Sequence, residues 1–323
     1  MVLRGILICP HCGRPHELTT KVCVATGKSL ERDLHRPYHE KRHPLVGTVL
    51  DSRYRILRLI GVGGMGEVLE AETIALRRLF VVKIVRAGVV SDESIERLRR
   101  EAELVAAVQH PNICAVFDFG TMEDGRPYVV LERLFGEPLS KTIASGTKAA
   151  LGWVVDIFAQ VLSGLHAAHG ADIVHRDVKP QNVFLVDRLG CAPLAKILDF
   201  GFAKDVATVK RGRTLTAPGK ALGTPGYSAP EQIVAEVVDR RADIFSVGVM
   251  LQEVLTGTNP FKRATAIDTQ SAILRDEPAT ISELRPDLPS ALHKVVERAL
   301  AKNRDDRWQT ALQMQQALVK CIR

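Results

Sequence analysis

Apolar and polar residues alternate from Tyr54 to Ile60, as they do along a strand with one buried face. Val68 to Thr73 reads as a strand returning from a turn. Phe80 to Val85 is a third β-rich run with a single lysine inside it. The period then changes. Ile95, Leu98, Ala102 and Val105 recur at helical spacing, behind Asp92 and Glu93, where a first helical turn favours negative charge. Tyr128 to Leu134 is another apolar run, read as an edge strand. From Val154 the spacing is helical again: Val154, Ile157, Val161, Leu165 and Ala168 share a face, and Gly170 is a suitable stop. Lys196, Ile197 and Leu198 make a short strand. Arg240 to Leu251 predicts a helix apolar nearly all round, with one acid, Asp243, which must be paired if buried.

The first fifty residues follow no such pattern. Residues 31–53 read as a linker, polar from Glu31 to His43 and including His35, His39 and His43, most simply a solvated tether. Ahead of it, Cys9 and Cys12 form a Cys-x-x-Cys knuckle, Cys23 follows eleven residues after Cys12, and Thr26 stands where a fourth cysteine would fall. Residues 1–30 therefore resemble a zinc ribbon lacking one ligand. Cys9, Cys12 and Cys23 would bind Zn2+ with His11 or His16 completing the set. The alternatives are a ribbon that no longer holds metal, and a redox role for the Cys9–Cys12 pair.

Composition narrows the class. At 323 residues there is room for one two-lobed unit and a small appendage. The net charge of +7 comes from scattered basic residues, so no nucleic-acid partner is expected. No stretch reads as the ~20 apolar residues of a membrane span, and Met1 to Ile8 is too short for a signal segment. Six cysteines without a regular framework fit a reducing compartment, and the expectation is a cytoplasmic chain.

The chemistry is concentrated between Ile173 and Gly201. Asp177 can take a proton; Lys179 and Asn182 follow at once, and Asp199 ends the short strand ahead of Phe200 and Gly201. A carboxylate base, a lysine and an Asn/Asp pair able to hold a hard cation suit transfer of a phosphoryl group, whose charge lies on oxygens. Gly61, Gly63, Gly64 and Gly66 would let backbone N–H groups approach phosphate. Dinucleotide-binding folds share that spacing, but they need a helix where Val68 to Thr73 reads as a strand.

His175 to Asn182 matches the catalytic loop of protein kinases, Asp199-Phe200-Gly201 their magnesium-binding triplet, and Gly223 to Glu231 the segment that closes their activation loop. With the glycine loop and Lys83 these motifs stand in family order, and the chain resembles the bacterial, eukaryotic-like serine/threonine protein kinases. The resemblance implies an α+β, two-lobed kinase domain over 54–320. A small antiparallel β lobe with one helix (54–132) would precede a large, mainly helical lobe (133–320), beside the zinc-ribbon-like appendage. It implies ATP and Mg2+. Ile60, Gly61, Val62, Gly63, Gly64, Met65, Gly66 and Val68 would surround the nucleotide. Lys83 would hold its phosphates, fixed by an ion pair with Glu101, or Glu103 if the register differs. The Glu132 carbonyl and the backbone of Leu134 would hold the adenine edge. Asp177 and Lys179 would act on the transferring group, and Asn182 and Asp199 would hold Mg2+. Arg176 would grip a phosphate on Thr214, Thr216 or Thr208. Asp243 and an Arg307–Glu231 pair would be structural, as would His175, and His166 and His169 would be helix-end residues without chemistry. The partners implied are proteins bearing Ser or Thr, with a homodimer suited to trans-autophosphorylation. A kinase-fold scaffold acting through the N-terminal segment is the competing reading.

Overall fold

The structure is a computed structural model and describes residues 6–8, 15–17, 22–23, 43–63, 66–85, 92–146, 149–188, 190–200 and 225–322. Near the start, β1 (Ile6–Ile8) and β2 (Pro15–Glu17) pair as an antiparallel hairpin with Leu7 opposite His16. Cys9 and Cys12, with His11, lie outside the described residues; Cys23 is buried. Among the described residues no group of three or more His, Cys, Asp or Glu side chains could hold a metal.

The main sheet follows from the alternation that begins at Tyr54. Its strands are β3 (Val49–Leu50), β4 (Tyr54–Gly63), β5 (Gly66–Thr73), β6 (Leu79–Val85), β7 (Val116–Thr121) and β8 (Pro127–Glu132), in spatial order β3-β4-β5-β6-β8-β7 with every pair antiparallel. Two expectations change here. The run from Tyr128 is an interior strand, buried on both faces from Pro127 to Val130, and the edge belongs to β7. The end of the expected linker is part of the sheet. Leu50 is buried, and Gly47 and Thr48 exchange backbone hydrogen bonds with Ile56, both 2.9 Å. An exposed β4 edge is a row of unmet N–H and C=O groups, and this short segment meets them.

Ile56, Leu69, Ala71, Val82, Ile84 and Val130 fill the core beneath the sheet. The helix α1 (Asp92–Ala107) turns Leu98, Ala102 and Val105 into a second, larger core shared with the helical lobe. In that lobe β9 (Gly136–Pro138) precedes α2 (Leu139–Ala144) and α3 (Leu151–Gly170), and β10 (Val183–Val186) and β11 (Leu194–Ile197) form a hairpin. By length and composition α3 is apolar enough to cross a membrane, which the reading of the sequence overlooked. It is a core helix: Val154, Ile157, Val161, Leu165 and Ala168 are all buried in the lobe. The helix Arg241–Thr256 is buried without interruption from Ala242 to Gln252 and ends at Gly257, whose left-handed φ of 80° closes it. That helix and α3 are the floor on which the chemical residues stand.

Candidate active site

After α3 the chain runs through an irregular loop, 171–179, whose shape is set from below by Asp243. This acid is fully buried in the first turn of the helix Arg241–Thr256. Its Oδ2 accepts from the backbone N–H of His175 at 2.9 Å and from His169 Nε2 at 2.8 Å, and its Oδ1 from the N–H of Arg176 at 2.8 Å. Burial pushes its carboxyl up, but the His169 bond and charge and the His175 amide outweigh that and hold it below the usual carboxylate range. His169 therefore does more than end a helix. The sign was present in the sequence, since it falls four residues after Leu165 on the apolar face of α3.

His175 links the two halves of the motif stretch. Its Nε2 lies 2.8 Å from the carbonyl of Leu198 and its Nδ1 lies 3.2 Å from the N–H of Asp177. A carbonyl only accepts, so Nε2 carries the proton and Nδ1 accepts. The ring also packs on Phe200, with centroids 4.7 Å apart. Arg176 and Asp199 both adopt left-handed backbone, φ 62° and 54°, a strained conformation for residues other than glycine.

The loop brings the expected side chains together. Lys179 Nζ donates to Asp177 Oδ2 at 2.7 Å. Asn182 Nδ2 donates to the same oxygen at 3.1 Å and to the Asp177 carbonyl at 2.9 Å. That leaves the amide oxygen of Asn182 as the atom it presents to a cation. The Asn182 carbonyl accepts from Leu198 N–H at 2.8 Å, next to the pairing of Val183 with Ile197. In this way the β10–β11 hairpin fixes Asp199 beside Asn182.

Across the cleft, Lys83 stands on β6 between Val68 of β5 and Val129 of β8. Its Nζ is 2.8 Å from Asp199 Oδ1. Glu101 is half-buried on α1, and among the described residues the ion pair at Lys83 is with Asp199. The glycine hairpin pairs Gly63 with Gly66, and Ile60 and Val62 are exposed on it. Gly64 and Met65 lie outside the described residues. At Gly66 a Cβ would stand 1.9 Å from the carbonyl oxygen of Ile84, so only glycine fits. At the end of β8 the Glu132 N–H donates to Ala115 O at 3.0 Å, and the Leu134 carbonyl accepts from the Arg133 guanidinium.

Beyond the catalytic loop, Glu231 and Arg307 meet in a bidentate pair at 2.8 and 2.9 Å. Arg307 is fully buried and also donates to the carbonyls of Ala301, Lys302 and Arg241, so all five of its N–H groups are used. Gly201, Thr208, Thr214, Thr216 and Thr224 fall outside the described residues.

Residues 54–319 match the protein kinase domain family. The chain is 38% identical over 265 residues to serine/threonine-protein kinase pkn3 of Myxococcus xanthus, covering 81% of this chain and 48% of that one. It is 38% identical over 317 residues to serine/threonine-protein kinase Pkn1 of the same organism, covering 96% and 45%. The chain thus spans about half the length of the curated relatives it matches. Among solved structures it is similar to the kinase domain of PknI from Mycobacterium tuberculosis, with a TM-score of 0.67 and 26% identity over 85% of this chain and 98% of that one. The two-lobed architecture and the ordered motifs thus have one explanation: the chain belongs to the protein kinase domain family.

Proposed function

We propose that this chain is an ATP- and Mg2+-dependent protein kinase that phosphorylates serine and threonine hydroxyls. The observation that carries the reading is the cluster in which Lys179 and Asn182 both lie within 3.1 Å of Asp177 Oδ2, with Asp199 held against Lys83. The donor set fits the group it would hold. Asn182 presents an amide oxygen and Asp199 a carboxylate, the hard oxygen ligands that magnesium takes. When bound, Mg·ATP supplies the phosphoryl group and the cation charge at its oxygens.

The chain's own residues do the rest. Asp177 orients the acceptor hydroxyl and takes its proton. Lys179, already against Asp177, screens the charge that develops on the transferred oxygens. Lys83 would hold the phosphates, fixed by Glu101, and Asp199, now paired with Lys83, would hold the cation. Ile60, Val62 and Val68 cover the base, and the Glu132 carbonyl and Leu134 N–H hold its edge.

A protein acceptor is supported by a cleft of about 360 Å³ beside the catalytic loop, lined by Pro180, Gln181, Tyr227, Asn259 and Lys262. We further read Thr208, Thr214 and Thr216 as sites whose phosphate Arg176 would grip, reached in trans within a homodimer. The thiols of Cys114, Cys191 and Cys321 form no disulfide, in keeping with a cytoplasmic location. Zinc would require Cys9 and Cys12 beside Cys23. Phosphoamino-acid analysis of a mixed protein substrate, labelled from γ-labelled ATP with Mg2+, tests the reading. Phosphoserine and phosphothreonine are expected; phosphotyrosine alone would refute it.

A further inference from the structure

Lys196 is a strand residue that the sequence gives no reason to single out. It lies on β11, three residues before Asp199, and is only 8% exposed. Its ammonium donates to Glu132 Oε2 at 2.8 Å and to the Ile113 carbonyl at 3.3 Å. Glu132 closes β8 and stands opposite Phe80 of β6, and three residues along β6 is Lys83, which meets Asp199. Two ion pairs therefore join the sheet to β11 and the segment that leads on to Asp199, spaced three residues apart on each side, roughly 10 Å. One faces the cleft and the other lies behind it. Around the rear pair the backbone adds two bonds, Cys114 N–H to Ile197 O at 2.9 Å and Ile197 N–H to Asn112 O at 2.8 Å.

A buried lysine is costly unless paired, and an apolar residue like the neighbouring Ala195 and Ile197 would serve a strand that only needed packing. We propose that Lys196 is a positioning residue for phosphoryl transfer: its pair with Glu132 sets the reach of Asp199 toward metal-bound nucleotide. The inference rests on the proposed function. The front pair must open for Asp199 to serve a cation; the rear pair stays closed and holds β11 while it does. Losing the rear pair lets β11 shift, so the loss falls on the magnesium-dependent part of nucleotide affinity.

The test is calorimetric binding of ATP to the full chain, with and without Mg2+, for wild type, Lys196→Met, Glu132→Gln, their combination and Lys196→Arg. A thermal melt of each protein runs alongside. Lys196→Met should weaken Mg·ATP binding about tenfold while metal-free ATP binding moves less than about twofold. Glu132→Gln should also weaken Mg·ATP binding, the double variant should be no worse than the worse single one, and Lys196→Arg should recover most of the loss. Variants that melt lower yet bind Mg·ATP as wild type does would overturn the proposal, and so would additive losses in the cycle. If Lys196→Met does not fold, Glu132→Gln and Lys196→Arg decide between the same outcomes. A wild-type chain that binds no ATP would remove the proposed function and this inference together. One that binds Mg·ATP without transferring phosphate would remove the function alone, and the binding comparison would still decide the role of Lys196.

Discussion

Asp243 is the residue whose loss should be felt farthest from its own position. It holds the backbone of His175 and Arg176, and through them the placement of Asp177. Asp243→Asn keeps the shape but brings an N–H2 group to face donors. It should cost roughly 2–4 kcal/mol in urea unfolding at neutral pH. Acid should narrow that gap. The folded carboxyl lies below its ordinary value of about 4, so its stabilisation is complete above that pH and is lost as pH falls through the lowered folded value. Wild type and variant should therefore converge in acid; a constant gap would mean that the charge is not what matters. The sequence made Asp243 legible because an acid inside an apolar helix needs partners. It left Lys196 illegible, because a lysine in a strand usually faces solvent and its carboxylate lies 64 residues away. It gave no sign of the Lys83–Asp199 contact for a related reason. Spacing along α1 picks out Glu101, whereas the left-handed turn at Asp199 is a backbone feature that side-chain periodicity does not report.

At the scale of elements, periodicity found the long strands and helices and missed what depends on neighbours. Alternation says which face of a strand is buried but not which strand lies beside it. That is why β8 read as an edge, although β7 occupies that place. A two-residue strand such as β3 has no period to read. In α3, apolar length alone does not separate a core helix from a membrane-spanning one, and packing makes the distinction. The glycine hairpin gives the clearest prediction at this scale. Gly66 sits at φ 156° with the Ile84 carbonyl where a side chain would begin. Gly66→Ala must push β5 away from β6, costing roughly 2–4 kcal/mol, seen as a lower midpoint in chemical denaturation with nucleotide affinity falling in parallel. A variant as stable as wild type would mean that the hairpin is looser than this packing implies.

For the whole molecule, separated motifs in one order carried the architecture from the sequence, and the larger core explains why order matters. Val85, Val105, Val154, Ile197 and Phe245 come from distant parts of the chain and share one interior. The Arg307–Glu231 pair ties the far end of the helical lobe to the segment after the activation loop, 76 residues away in sequence. Arg307→Ala strands a buried carboxylate and should cost about 3–5 kcal/mol, whereas Arg307→Met combined with Glu231→Leu should recover much of that. Denaturant titration of the three proteins would show it, and a double variant no better than the single would count against the pairing as the cause. The central claim is that this cleft transfers phosphate through Asp177. The measurement that reaches it most directly is the rate of phosphate incorporation from Mg·ATP into a protein substrate by wild type and by Asp177→Asn, with ATP binding measured on both. The account predicts binding retained and the rate down by about 10²–10⁴-fold in the variant. Equal rates in the two proteins, or no transfer by a wild type that binds Mg·ATP, would contradict it.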